Sequence, residues 1–233
     1  MKVRIGLDEA GRGCVLGPLV IGLVVFESKS DDSYFSQLGV RDSKKLTANK
    51  RNDFYEAINR HCYCDSLFVT PQKIDKYNMN SLELNGMAYL VNNTIKKYSE
   101  ASIEKVDYEI YIDCPIKNTD KHKHEMRLIL DHSSSIKIVT ENKADDKYVV
   151  VGASSIIAKV LRDKEIEKIK EKYKFFFKDI GSGYPSDWRT KEFLKKYYKI
   201  KNGFPVETRL KWGTVKNIRR ECFENSKSSR KGL

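Results

Sequence analysis

The chain lacks the features that would mark a secreted, membrane-bound or zinc-ribbon protein. Its five cysteines (Cys14, Cys62, Cys64, Cys114 and Cys222) are odd in number and form no Cys-x-x-Cys pair. That excludes a paired disulfide framework and a zinc ribbon, and leaves reduced thiols in the cytosol as the simplest reading. The longest apolar stretch, Leu16 to Phe26, is interrupted by glycine and falls well short of the ~20 residues of a bilayer span. It also lacks the pattern of a signal peptide. A soluble, cytoplasmic protein with no membrane partner is expected. There is no internal repeat and no Ser-His-Asp or Cys-His set.

What is present is length, charge and a distinctive acidic start. The 233 residues, 40% of them apolar, suffice for one good-sized domain or a domain with a small appendage. Lys and Arg number 44 against 32 Asp and Glu, a net charge of +12 that favours an anionic partner such as nucleic acid or an acidic membrane surface. Lys2 to Leu7 alternates as a strand, and Leu19 to Phe26 reads as a second, buried strand joined to it by a hairpin. Thr47 caps a helix running to about His61, and Cys64 to Thr70 is strand-like. Asn80 or Ser81 starts a helix with Leu84, Ala88, Val91 and Ile95 on one face. Glu109 to Asp113 and Ile136 to Thr140 are short strands, separated by a polar helix from Asp120 to Asp131. Tyr148 to Tyr173 holds a long helix, apolar in its first half and charged in its second. Two short helices, Arg189 to Tyr198 and Leu210 to Arg220, follow the loop Gly181-Ser182-Gly183-Tyr184-Pro185-Ser186, and the basic tail frays. The order predicts an α/β domain with a mixed sheet. It divides into an α/β domain over 1–174 and a helical region over 175–233.

Four acids sit at the edges of core elements: Asp8 and Glu9 at the end of the first strand, Asp113 at the end of another, and Asp145 before the apolar helix. Several carboxylates converging from separate strands are what two-metal phosphodiester hydrolysis requires. Neighbouring strand residues point to opposite faces, so Asp8 and Glu9 share one site only if the strand bends or ends between them. Spacing does not choose between Asp145 and Asp146. His122 and His124 lie on a lysine-rich helix and read as a solvated face, and Glu165, Glu167 and Glu171 read as solvated pairs with lysines. Directly after the acids, Gly11-Arg12-Gly13 offers backbone amides and a guanidinium to a phosphate or sugar. Arg41-Asp42-Ser43-Lys44-Lys45 before a helix suits phosphates as well as it suits a plain helix cap.

Taken together, the opening Gly6-Leu7-Asp8-Glu9-Ala10-Gly11-Arg12-Gly13, Arg41 to Leu46, Tyr111-Ile112-Asp113, Lys143-Ala144-Asp145, Ala153 to Val160, Arg162-Asp163 and Gly181 to Asp187 resemble ribonuclease HII, the type 2 ribonuclease H. The Lys143-Ala144-Asp145-Asp146 form, and Phe204-Pro205 followed by Arg209 and Trp212, are most similar to its archaeal branch. The resemblance implies a ribonuclease H-like mixed sheet flanked by helices with a small helical C-terminal region. It implies an endoribonuclease that cuts the RNA strand of RNA/DNA hybrids and cuts at ribonucleotides within duplex DNA, leaving 5′-phosphate and 3′-hydroxyl ends. It assigns Asp8, Glu9, Asp113 and Asp145 to catalysis and to two Mg²⁺ or Mn²⁺ ions. It assigns Gly11, Arg12, Gly13, Lys44, Lys45, Lys143 and Tyr184 to substrate binding, the turn and Tyr184 reading the ribose 2′-hydroxyl. Cys14 departs from the proline usual after the turn. The tail carries no glutamine-led, aromatic-ended clamp motif, so a monomer without sliding-clamp recruitment is expected. The start at the first strand argues against the ribonuclease HIII class. Two rival readings are a hybrid-binding module that does not cut, and a DNA-specific nuclease of the same fold.

Overall fold

The computed structural model describes residues 1–40, 46–103, 105–130 and 135–228, the last four by backbone alone. The chain forms two compact units. One comprises Met1–Ala10, Val20–Phe68 and Met79–Leu161; the other comprises Gly11–Leu19, Val69–Asn78 and Arg162–Leu233.

The first unit is organised by a sheet in which alternation in the sequence becomes two buried faces. Strands β1 (Lys2–Ala10), β2 (Leu19–Phe26), β3 (Tyr63–Val69), β4 (Asp107–Asp113) and β5 (Ser135–Glu141) lie in the order β3-β2-β1-β4-β5. The β1 and β2 strands pair antiparallel, while β1 with β4 and β4 with β5 pair parallel, so the sheet is mixed as expected. Every residue of β2 is buried. Its Ile21, Leu23 and Val25 join Val3, Ile5 and Leu7 of β1 in one cluster, covered by Met87, Leu90, Val91 and Ile95 of α4 (Met79–Ala101). The opposite cluster gathers Val24, Phe26, Phe35 of α1 (Lys29–Gln37), Phe54 and Ile58 of α2 (Ala48–His61), and Val150, Ala153 and Ile157 of α7 (Val149–Tyr173). Gly6 explains how closely α7 lies on the sheet: a Cβ there would meet the Val150 carbonyl oxygen at 2.3 Å.

The second unit has its own core. Val15, Leu16, Ile166, Ile169, Ile180 and Phe193 pack with Val215 and Ile218. Its helices are α3 (Pro71–Lys76), the last turns of α7, α8 (Trp188–Lys201) and α9 (Gly213–Ser228), and Leu16 bridges Thr208 in antiparallel fashion. Among the described residues no helix is long and apolar enough to cross a membrane.

Several elements differ from the sequence expectation. Helices α1 and α3 were not foreseen, although Thr70 capping Pro71 at the first position of α3 is a start signal. Strand β3 begins at Tyr63 and ends at Val69, one residue earlier at each end than the expected Cys64 to Thr70. The helix expected from Asn80 or Ser81 already begins at Met79. On α5 (Thr119–Ile129) His122 is buried, not solvated, because it shares a face with Met126 four residues on; His124 is exposed. The Lys168–Glu165, Lys170–Glu167 and Lys174–Glu171 pairs lie on the surface, as read from the sequence.

Candidate active site

In the first unit the sheet places two of the four candidate acids side by side. The parallel ladder between β1 and β4 stops at Leu7 opposite Ile112, whereas the ladder from β1 to β2 continues to Ala10 opposite Val20. One further step in the parallel register sets Asp8 level with Asp113, the last residue of β4. The strand does not end between Asp8 and Glu9: β1 keeps its pairing with β2 through both residues, which leaves a bend of the paired strand as the way to turn both carboxylates toward one site. Their carboxylates still feel one another. Asp8 is only 5% exposed, and burial holds its carboxyl well above the usual carboxylate range, with the charges of Glu9 and then Asp113 adding to the effect. Hydrogen bonds from Ser155 and from the Glu9 amide, the latter at 2.7 Å, only partly oppose it.

The third element is brought in through a backbone bond. Asp113 Oδ1 accepts from the Ala144 amide at 2.8 Å, and Ala144 opens the four-residue α6 (Ala144–Lys147). The chain enters α6 through Lys143 at φ 57°, ψ 40°, a left-handed conformation that a lysine rarely adopts and that surrounding structure must hold in place. Within α6 Asp145 is buried and Asp146 is exposed. A helix of four residues has no periodic face, so nothing in the spacing separated the two. Among the described residues no group of three or more His, Cys, Asp or Glu side chains is drawn together into a ready-made metal cage. The donor set nevertheless suits a hard divalent cation, since it consists of carboxylate oxygens. Asp8 supplies the physical reason. A buried carboxyl raised by two neighbouring carboxylates is a group that a cation would hold ionised.

The second unit builds the glycine turn. Gly11 lies at φ 87°, where a side chain would be strained, and an added Cβ would meet the Pro18 carbonyl oxygen at 2.8 Å. The Cys14 amide closes the turn on the Gly11 carbonyl at 3.2 Å. Gly13 is exposed, and a Cβ there would enter open space. The turn is held from behind by Arg209, which is fully buried and donates to the carbonyls of Gly17 (3.0 Å), Arg12 (2.8 Å) and Gly11 (2.7 Å). Its guanidinium also lies over the Trp212 ring at 5.1 Å. Burial lowers Arg209 to about 10, still charged at neutral pH.

Tyr184 is brought to the same turn. The Gly183 carbonyl accepts from the amides of Val15 (2.9 Å) and Leu16 (3.2 Å), stitching the Gly181-to-Ser186 loop to the segment after the turn. Arg162 Nη2 donates to the Ser182 carbonyl at 2.6 Å, and its guanidinium lies 4.7 Å from the centre of the Tyr184 ring. Tyr184 is half-buried, and burial pushes its phenol up to about 12. Within this unit Gly11, Arg12, Gly13 and Tyr184 therefore form one constellation. Lys44 and Lys45, the remaining substrate-binding candidates, lie outside the described residues. The sequence placed Arg162 and Arg209 in segments that carry the resemblance but did not show their supporting roles, because the carbonyls they hold lie 20 and up to 198 positions away in the chain.

Comparison with known proteins identifies the family and the fold. The family model of ribonuclease HII matches residues 5–215. The ribonuclease HII of Methanococcus maripaludis (strain C6) is 41% identical over 229 residues, covering 96% of this chain and 90% of the relative. The solved ribonuclease H2 of Pyrococcus horikoshii OT3 superposes with a TM-score of 0.81 at 37% identity, covering 94% of this chain and 98% of that one. The Archaeoglobus fulgidus ribonuclease HII, solved in complex with PCNA, gives 0.76 at 34% identity over 90% of this chain and 95% of that one. The mixed sheet with flanking helices is thus the ribonuclease H-like fold expected from the sequence, and the chain belongs to the ribonuclease HII family.

Proposed function

We propose that this chain, an endoribonuclease of the ribonuclease H type, hydrolyses the RNA strand of RNA/DNA hybrids and cuts at single ribonucleotides in duplex DNA. The observation that carries the reading is the environment of Asp8: a buried carboxyl next to Glu9 and Asp113, with Asp113 tethering the segment that holds Asp145. These four residues would hold Mg²⁺ or Mn²⁺. Two such ions, when bound, supply an activated water for in-line attack on phosphorus and stabilise the departing 3′-oxygen. Water adds to phosphorus as the P–O3′ bond breaks, and the products are a 5′-phosphate and a 3′-hydroxyl.

Recognition would belong to the other unit. The amides of Gly11, Arg12 and Gly13, with Tyr184, read the ribose 2′-hydroxyl. Polar groups arranged around a hydroxyl reject the analogue that lacks it by roughly 10⁴-fold, because they are left unpaired. That margin suits a search for one ribonucleotide in DNA. Lys44, Lys45 and Lys143 would contribute charge to the backbone, so binding weakens as salt rises. The chain acts as a monomer in this reading, and clamp docking through a tail motif forms no part of it.

The test is a duplex with one central ribonucleotide, incubated with the protein in Mg²⁺, Mn²⁺ or chelator, with the cut mapped at nucleotide resolution. A metal-dependent cut at the ribonucleotide with the stated ends is expected. Metal-independent binding without a cut would favour a coating module, and equal cutting of all-DNA duplex would favour a DNA-specific nuclease.

A further inference from the structure

Cys14 follows the glycine turn and is fully buried. A buried free cysteine usually behaves as a small hydrophobe, but the surroundings of this one are polar. Arg162 Nη2 donates to its Sγ at 2.9 Å, and the same guanidinium lies 4.7 Å from the centre of the Tyr184 ring. The Tyr184 phenol, raised first by burial, is close enough to the sulfur to be pushed up further by it. Arg162 is fixed in turn: it is only 2% exposed, bonded to the Ser182 carbonyl, paired with Asp163 at 3.1 Å and stacked over the Tyr184 ring. One sulfur therefore links the turn to the guanidinium that lies over the Tyr184 ring, all within the second unit. A proline at this position would have no side-chain acceptor to offer, and no amide to make the Cys14 bond to Gly11.

We propose that Cys14 is a positioning residue for ribose recognition: through its sulfur it fixes the Tyr184 hydroxyl and the Arg162 guanidinium against the Gly11-Arg12-Gly13 turn. The proposal rests on the reading of Tyr184 as a ribose contact. Its physical basis is the cost of leaving a half-buried phenol and a buried guanidinium short of a partner. An alanine at position 14 fills nearly the same space but accepts nothing, so Tyr184 loses its anchor while the fold keeps its core. Serine keeps an acceptor on a shorter reach.

The experiment is a double-mutant cycle, measured as kcat/KM on the single-ribonucleotide duplex in Mg²⁺, with a thermal melt on each variant. Cys14→Ala is expected to lower kcat/KM about tenfold, the size of one lost hydrogen bond to a polar partner. Cys14→Ser should recover at least half of that loss on a logarithmic scale. In a Tyr184→Phe background the hydroxyl is already gone, so Cys14→Ala should cost less than about twofold. An equal loss from Cys14→Ala in both backgrounds would overturn the proposal, as would a wild-type rate for Cys14→Ala alone. If Cys14→Ala melts early, the Cys14→Ser rate with and without Tyr184→Phe carries the same comparison. Failure of the underlying reading looks different: Tyr184→Phe and Tyr184→Ala would then both cut at the wild-type rate.

Discussion

Arg209 donates from Nη2 to the carbonyl of Gly11 at 2.7 Å, joining residues 198 positions apart in the chain. Two further carbonyls, of Arg12 and Gly17, share the same guanidinium. The planar fork of arginine can serve three acceptors at once, whereas a lysine amine acts as a point charge. Arg209→Lys is therefore expected to lose about 2 kcal/mol of stability in a urea titration, and Arg209→Ala about 3 kcal/mol or more, because buried carbonyls are left unpaired. Cleavage at a single ribonucleotide should fall in both variants even though Asp8, Glu9, Asp113 and Asp145 are untouched. Wild-type stability for Arg209→Ala would show that the turn holds itself.

Asp113 does two jobs that one substitution can separate. Its Oδ1 holds the Ala144 amide, and its charge acts on Asp8. Asp113→Asn keeps an acceptor for the amide and removes the charge. Its melting temperature should match or exceed that of the wild type, while cleavage in Mg²⁺ falls by about 10²-fold or more, as expected for loss of a group that acts in the transition state. Asp113→Ala should lose both activity and stability. Near-normal cleavage by Asp113→Asn would remove the residue from the mechanism.

The raised position of Asp8 makes stability depend on pH in a stated direction. An unfolded aspartate loses its proton near pH 3.9. In the fold, burial and the charges of Glu9 and Asp113 keep the proton on to higher pH. Between those two values the folded chain binds more protons than the unfolded one, so stability falls as pH rises through that window. Chelator-treated protein should accordingly melt lower at pH 7 than at the acid side of the window, once other carboxylates are accounted for by comparison with Asp8→Asn. That variant should flatten the slope. Mg²⁺ or Mn²⁺ should raise the melting temperature of the wild type at pH 7 more than that of Asp8→Asn. Identical pH slopes with and without Asp8 would reject this account.

The sheet was legible because its physics is local. Alternation in Lys2 to Leu7 and the dense apolar run Leu19 to Phe26 correspond to a two-faced strand and a doubly buried one. The long helix after Asp145 was legible for the same reason, its small and apolar first half matching the close approach at Gly6. Helix α1 escaped notice because Lys29 to Gln37 buries only Phe35, too little for a periodic signal. Asp8 and Asp113 stood out as strand ends, but their nearness depends on the register between β1 and β4, which pairs segments about a hundred residues apart and leaves no trace in either one. The same holds for Arg209. His122 could have been read correctly, since its spacing to Met126 was visible in the chain.

Lys143 offers a last separation, between side chain and backbone. It turns the chain into α6 at a positive φ, and its exposed amine is one of the candidate phosphate contacts. Lys143→Gly removes the amine and relieves the backbone, whereas Lys143→Ala removes the amine and keeps the strain. If the amine meets substrate phosphate, both variants should bind a hybrid more weakly than the wild type, by a similar factor, with the slope of log affinity against log salt reduced by about 1. Stability should part them: Lys143→Gly should equal or exceed the wild type by about 1 kcal/mol in denaturant, and Lys143→Ala should not. Unchanged affinity and salt slope in Lys143→Gly would confine Lys143 to shaping the entry to Asp145, because glycine reproduces the turn and nothing else of the lysine.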